Sequence, residues 1–487
     1  MKIRVLLLIL CLSQVLCACA KPAEPTPSAD LPTPRSAVTI NQPELQTSVP
    51  EATEEPADTS QPTTHYAFDV QFDYAQHTLN VSQQIDYLNR SRFPLNEILL
   101  LVPARAFLGT YTQTLLESPQ IAAFTEDGIR TRVQLHQTLL PNQRLSLRLV
   151  YSLRLPQREG TFGYTDRQTN LTNWYPFVPP LDADGNWIAH EPLIDANNMV
   201  VGEYIVNEIA DFSLLLQPTD PTLSLQIATG ASARPAENGV RYELDQARSL
   251  CLSISREFYL EEKQVGETLI QAYVFPSQKA KAGAILDIAA QSLSLFSELF
   301  GEYPREKLVI AAADFLHNME MDGMLLISHK IIDFYDDTPL NNLTILLPHE
   351  ISHQWFYSQV GNDQAVEPWL DESIATYSEA LFFERYYPEH LQWWWDNRVK
   401  AHEHSGYVNN SIYQAGSYEA YRSSVYLNGA FFMQALADAM GKQALLDGLA
   451  RYVETNRWQI ASRQSFFDAL RSVNPVDFEA IIDRFFR

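Results

Sequence analysis

Residues 349–353 read His349-Glu350-Ile351-Ser352-His353, and nineteen positions after His353 comes Glu372, in Trp369-Leu370-Asp371-Glu372. The apolar pattern from Leu343 onward reads as a helix running through this motif. Histidines four apart on a helix lie on one face. Two imidazoles and one carboxylate fill three corners of a tetrahedral zinc site and leave the fourth for water. Glu350, between the histidines, can face that water as a general base. A polar helix whose histidines merely cap or solvate would carry the same five residues, but the added glutamate argues against it. The pattern therefore implies one zinc ion per chain held by His349, His353 and Glu372, with Glu350 as the base of a hydrolase. Pro348 directly precedes the motif, so either the helix kinks there or its regular part begins there; both keep the two histidines on one face.

Working outward, the chain changes character twice. Residues 65–262 alternate with period two, as in Tyr66-Ala67-Phe68-Asp69-Val70-Gln71-Phe72 and Leu145-Ser146-Leu147-Arg148-Leu149-Val150-Tyr151. Short strands punctuated by turns suggest an all-β domain. His65, His77, His136 and His190 are scattered and form no ligand cluster there. From about 263 strands and helices mix. Leu269 to Phe275, Val309 to Ala313 and Leu325 to Ile332 read as strands. Lys279 to Leu299 reads as a helix stopped by Gly301, and helices dominate from Leu343 to the end.

The flanks of the metal motif carry a resemblance. Gln354-Trp355-Phe356 and Trp369-Leu370-Asp371-Glu372-Ser373-Ile374-Ala375-Thr376-Tyr377-Ser378-Glu379 resemble the HExxHxW and WLNEGFAxYxE patterns of the zinc aminopeptidases that include aminopeptidase N and leukotriene hydrolase, the gluzincins. Asp371, Ser373 and Ile374 replace that family's Asn, Gly and Phe. His317-Asn318-Met319-Glu320-Met321 resembles its exopeptidase motif GxMEN, with Met319 and Glu320 matched and the Gly and Asn lost. Val425-Tyr426-Leu427-Asn428-Gly429-Ala430 resembles its VYxKGA segment, with Asn428 for Lys. Phe300-Gly301-Glu302-Tyr303-Pro304 resembles its FGxYP turn.

The resemblance covers roughly residues 65–487. It implies an N-terminal saddle-like β domain followed by a thermolysin-like α+β catalytic domain, 263–487, ending in helices. The large C-terminal helical domain of many members is expected to be absent or reduced. Peptide substrates are implied, with Tyr426 stabilising the transition state and Glu320 binding the substrate's free ammonium. Glu379, seven residues after Glu372 and on the same helix face, is a candidate to orient a ligand imidazole, or else a solvated carboxylate. A zinc hydrolase without strict N-terminal specificity and a catalytically silent peptide-binding lipoprotein are the alternatives.

The N-terminus suggests a compartment. Lys2 and Arg4 precede a mostly apolar run, Val5 to Leu16, too short for a comfortable membrane span. Leu16-Cys17-Ala18-Cys19 resembles a bacterial lipobox, giving a signal peptide over 1–18 and lipidation at Cys19; an ordinary cleaved signal is the alternative. Residues 20–64 hold nine prolines with no aromatic residue or glycine, and 19–64 is expected to be a disordered tether reaching roughly 40 to 140 Å. A membrane-anchored, extracytoplasmic protein follows. Cys251 would be the one free thiol, so no disulfide is expected in the mature chain. The balance of 59 acidic to 35 basic residues disfavours nucleic acid as a partner.

Overall fold

The computed structural model describes residues 64–487 and the backbone of Val38–Thr39. The expected signal peptide over 1–18, the expected lipidation site Cys19 and most of the expected tether over 19–64 lie outside the described residues.

The period-two stretches form strands. In Thr64–Asp73, Tyr66, Phe68, Val70 and Phe72 point into a core while the residues between them are half-buried or exposed. This strand lies inside a seven-stranded sheet of order Ser232–Ala236, Gly239–Ala247, Ala210–Pro218, Thr64–Asp73, Thr78–Leu88, Arg144–Arg154, Tyr111–Glu117. Only the pairing of Ala210–Pro218 with Thr64–Asp73 is parallel; the other pairs are antiparallel. Two four-stranded sheets complete the N-terminal region, and Val38–Thr39 pairs at the edge of one of them. Trp174 and Tyr175 are packed against Phe68 in this core.

A second sheet has the order Tyr259–Val265, Thr268–Val274, Lys307–Ala313, Met324–Ser328, Met319–Met321. It begins at Tyr259, so the change of composition near 262 falls inside its first strand. Its central strands, Lys307–Ala313 and Met324–Ser328, are parallel and almost wholly buried, which is why they read as continuous apolar runs. The helix Ala282–Phe300 connects the parallel strands Thr268–Val274 and Lys307–Ala313. It ends at Gly301, whose φ of 104° only glycine adopts without strain. The strand read over Leu325 to Ile332 stops at Ser328, and His329–Asp333 is helical. Ser328 terminates it by giving its N–H to the Asn318 side chain and its hydroxyl to Phe315 O.

The two regions interlock. Gly230 packs so closely on the Asp322-Gly323 turn that a Cβ would lie 2.2 Å from Asp322 O. Arg248 is buried and joins four segments. Its backbone N–H meets Asp322 Oδ2 at 3.0 Å, and its guanidinium donates to Tyr357 O, Asn207 O and Gln459 O at 2.6 to 2.9 Å. This network seats the hairpin that carries Glu320 against the segment that follows the metal motif.

Candidate active site

The motif helix spans Asn342–Ser352, capped by Asn341, whose side chain accepts from Leu343 N and Thr344 N. Pro348 sits inside it rather than at its start. His353 continues with helical backbone angles, φ −64° and ψ −11°, so His349 and His353 stay one turn apart with ring centroids at 5.0 Å. Gln354 clamps the helix end to the Glu320 hairpin: its amide donates to Met321 O and accepts from Gly323 N, both at 2.9 Å.

Glu372 comes from the helix Trp369–Tyr386, anchored by Trp369 among Phe432, Phe466 and Phe486. Its Oε2 lies 3.1 Å from His349 Nε2 and 3.6 Å from His353 Nε2. The ligand atoms of His349, His353 and Glu372 fall within 4.8 Å of one another, and all three residues are buried. The other ring nitrogens are already engaged. His349 Nδ1 meets Glu379 Oε1 at 3.0 Å, and His353 Nδ1 meets Phe356 O at 2.9 Å. With the proton on Nδ1 in each case, both Nε2 lone pairs face Glu372, the arrangement a zinc ion requires. The donor set fits zinc in residue type, tautomer and convergence.

Glu379 settles between its two readings as a partner of the metal motif. It is fully buried and holds Arg398 through two 2.8 Å bonds and Trp394 Nε1 at 3.0 Å, besides His349. Burial acts against its charge, yet Arg398 and His349 outweigh it and hold the carboxyl below its usual range. Glu379→Gln is expected to weaken zinc binding about 10- to 100-fold, read by competition with a chromophoric chelator; unchanged affinity would remove Glu379 from the metal site.

Tyr426 lies in a π-helical turn, Arg422–Leu427, with its ring stacked 5.8 Å from His349 and its hydroxyl donating to Glu372 Oε1. Ser373 explains how this turn is held. Its hydroxyl donates to Val425 O at 2.7 Å, and a Cβ on Gly429 would lie 2.2 Å from Ser373 Oγ. The other departures from the family pattern are also accommodated locally. Asp371 accepts from Gln364 at 3.0 Å, and Asn428 donates to Gly406 O at 2.9 Å.

Glu350 is buried beside the cluster, and burial is the main cause that pushes its carboxyl up to about 7. Glu320, on the short strand Met319–Met321, is equally buried, and its carboxylate lies within 4.8 Å of ligand atoms of Glu350 and His353. Glu203 comes from the N-terminal region and was not found by sequence reading. It hydrogen-bonds Glu320 and accepts from Gln364. Burial, then neighbouring carboxylates, raise both Glu203 and Glu320 well above the usual range, so the pair retains a proton where separate carboxylates would not. No motif surrounds Glu203; only the fold brings it here. Arg398 and Gln364 were missed for the same reason. Cys251 is a buried free thiol far above the usual range through burial, outside this site.

The sequence comparisons agree on the catalytic half. Residues 284–485 match the peptidase family M1 domain. Aminopeptidase 2 of Candida albicans is 22% identical over 241 residues, covering 44% of this chain and 25% of that one. Aminopeptidase M1-B of Oryza sativa subsp. japonica is 26% identical over 228 residues, covering 44% and 26%. The chain thus matches about a quarter of the length of these relatives. The crystal structure of the M1 zinc metallopeptidase from Deinococcus radiodurans aligns with a TM-score of 0.63 at 18% identity, covering 87% of this chain and 93% of that one.

The fold is therefore shared with that two-part structure, a β domain leading into an α+β domain. Within it, residues 284–485 match the peptidase family M1 domain and are similar in sequence to the aminopeptidases named above.

Proposed function

We propose that this chain is a zinc-dependent aminopeptidase that removes N-terminal residues from peptides outside the cytoplasm, held at a membrane by a lipid on Cys19. The observation that carries the reading is the Glu320–Glu203 pair beside Glu350 and His353. Closely packed carboxylates bind a cation strongly, and a substrate ammonium seated there places the first peptide carbonyl at the metal ligands. Glu320 is the principal anchor of that ammonium, with Glu203 beside it.

A zinc ion held by His349, His353 and Glu372 supplies Lewis acidity toward water and the scissile carbonyl. Glu350 accepts a proton from the attacking water and delivers it to the leaving amine. The Tyr426 hydroxyl donates toward the carbonyl oxygen as negative charge develops. The aminopeptidase names of the relatives and the buried, convergent donor set support this reading. The lipobox-like Leu16-Cys17-Ala18-Cys19 supports the membrane anchor, and the acidic balance gives no support for nucleic acid.

The test is to measure bound zinc and hydrolysis of aminoacyl-arylamides by the purified protein. One zinc per chain with chelator-sensitive hydrolysis is expected. Zinc bound without hydrolysis of any peptide or arylamide would instead favour a silent binding protein. For the anchor, Cys19→Ala is expected to release the protein from the membrane fraction, and unchanged fractionation would reject lipidation.

A further inference from the structure

Glu203 reaches the reacting centre through two chains of direct contact. The first runs through Gln364, a buried side chain in the turn that leads into the helix Trp369–Tyr386. Its amide Nε2 donates to Glu203 Oε2 and, at 3.0 Å, to Asp371 Oδ2. Asp371 in turn accepts the backbone N–H of Glu372 at 2.7 Å. The second chain runs through Gly202, where a Cβ would lie 2.8 Å from Tyr421 Cζ. The Tyr421 ring packs edge-on against Tyr426 at 5.6 Å, and the Tyr426 hydroxyl donates to Glu372.

The Gln364 turn is itself held from several sides. Asp363 O accepts from Val366 N and Glu367 N at 3.0 and 2.7 Å, and Ala365 O accepts from Ile412 N at 3.0 Å. The Asp363 carboxylate meets His190 Nε2 at 2.8 Å. His190 and Glu203 both come from the N-terminal region, which therefore grips this turn at two points. An amide group has two N–H donors and no charge. Both engage carboxylates here, so the Gln364 side chain is fixed, and the Glu203 carboxyl that meets Glu320 is fixed with it. A lysine or arginine in this place would neutralise the carboxylates and compete with a bound ammonium; glutamine orients them without doing so. Asp371 completes the bridge. Its two oxygens accept separately from Glu372 N and from Gln364, whereas the Asn of the family pattern has one acceptor oxygen.

We propose that Gln364 is the positioning residue that sets the enzyme's affinity for a free N-terminus, by fixing Glu203 beside Glu320 from the turn before the metal-ligand helix. The proposal rests on the aminopeptidase reading, which seats the substrate ammonium at that carboxylate pair. Without the Gln364 donor, Glu203 is free to swing away from Glu320. A free-amine substrate then loses binding in the ground state and the transition state alike, which raises KM and spares kcat. The metal ligands keep their places, since the Gln364 amide bonds to none of them.

The experiment measures kcat and KM of the zinc-loaded enzyme for alanyl-p-nitroanilide. It is repeated with Gln364→Met, which keeps the length without an N–H, and with Gln364→Glu, which keeps the shape and replaces the donor by an acceptor. Thermal melts verify folding, and metal analysis gives the zinc content. In Gln364→Met, KM is expected to rise about ten- to hundredfold with kcat within about threefold and zinc unchanged; Gln364→Glu is expected to go at least as far. In a Glu203→Ala background, Gln364→Met is expected to add little, because no carboxyl remains for it to position. An unchanged KM, a loss confined to kcat, loss of zinc, or full additivity with Glu203→Ala overturns the assignment. Calorimetric binding of alaninamide against propanamide, which lacks only the amine, reads the same site without turnover. A parent enzyme that cleaves nothing yet prefers alaninamide, with the preference lost in Gln364→Met, would count against the peptidase reading and for Gln364. No preference for alaninamide in the parent overturns both.

Discussion

Replacing Glu350 by Gln is expected to lower kcat by about three to four orders of magnitude while zinc stays at one per chain. The carboxyl is buried and takes no part in the triad of His349, His353 and Glu372, so the metal has no need of it. Burial pushes it up to about 7, where a carboxyl can both take and return a proton near neutrality. Glutamine keeps the shape and the hydrogen bonding but cannot carry the proton. Positioned proton transfer contributes roughly 10²- to 10⁴-fold, and Glu350 is asked to serve both attack and departure. Steady-state kinetics with metal analysis on the same sample decides the matter; activity within about tenfold of the parent would assign the base elsewhere.

Removing a ligand should act differently. His353→Ala is expected to abolish stable zinc binding and, with it, all turnover. His353 is buried, and its Nδ1 bond to Phe356 O fixes the ring so that Nε2 faces Glu372. Without it the metal would keep one imidazole and one carboxylate, too few for a site that must also hold water. The loss should exceed the roughly 10- to 100-fold of a supporting residue such as Glu379. The two variants thus separate chemistry from metal binding: Glu350→Gln retains zinc and fails to turn over, whereas His353→Ala fails at both. Metal analysis after dialysis checks this, and retention of one zinc per chain by His353→Ala would contradict the assignment of ligands.

What could be read in advance followed from local periodicity. The spacing of His349 and His353, and of Glu372 and Glu379, is helical, so the helix geometry alone aligns each pair. The alternation in Thr64–Asp73 and the buried run in Lys307–Ala313 gave the two sheets their contrasting patterns. Where a local signal was ambiguous, tertiary contacts decided. An apolar run such as Leu325 to Ile332 cannot tell a strand from a buried helix, and the bonds of Ser328 to Asn318 and Phe315 ended the strand early. Pro348 proved compatible with a helix interior once Asn341 capped the preceding turn. Glu203 carries no signal in sequence because its significance is relational, arising through the Glu320 carboxylate brought beside it by the fold.

The lost Gly and Asn around Glu320 made its role the weakest inference from sequence, and the Glu203 partnership is what strengthens it. A single comparison tests the central claim: kcat/KM for an aminoacyl-arylamide with a free amine against its N-acetylated counterpart. The account predicts cleavage of the free-amine substrate with a preference of at least about a hundredfold, as expected when a buried charge pair is lost. Equal cleavage of the two would contradict it.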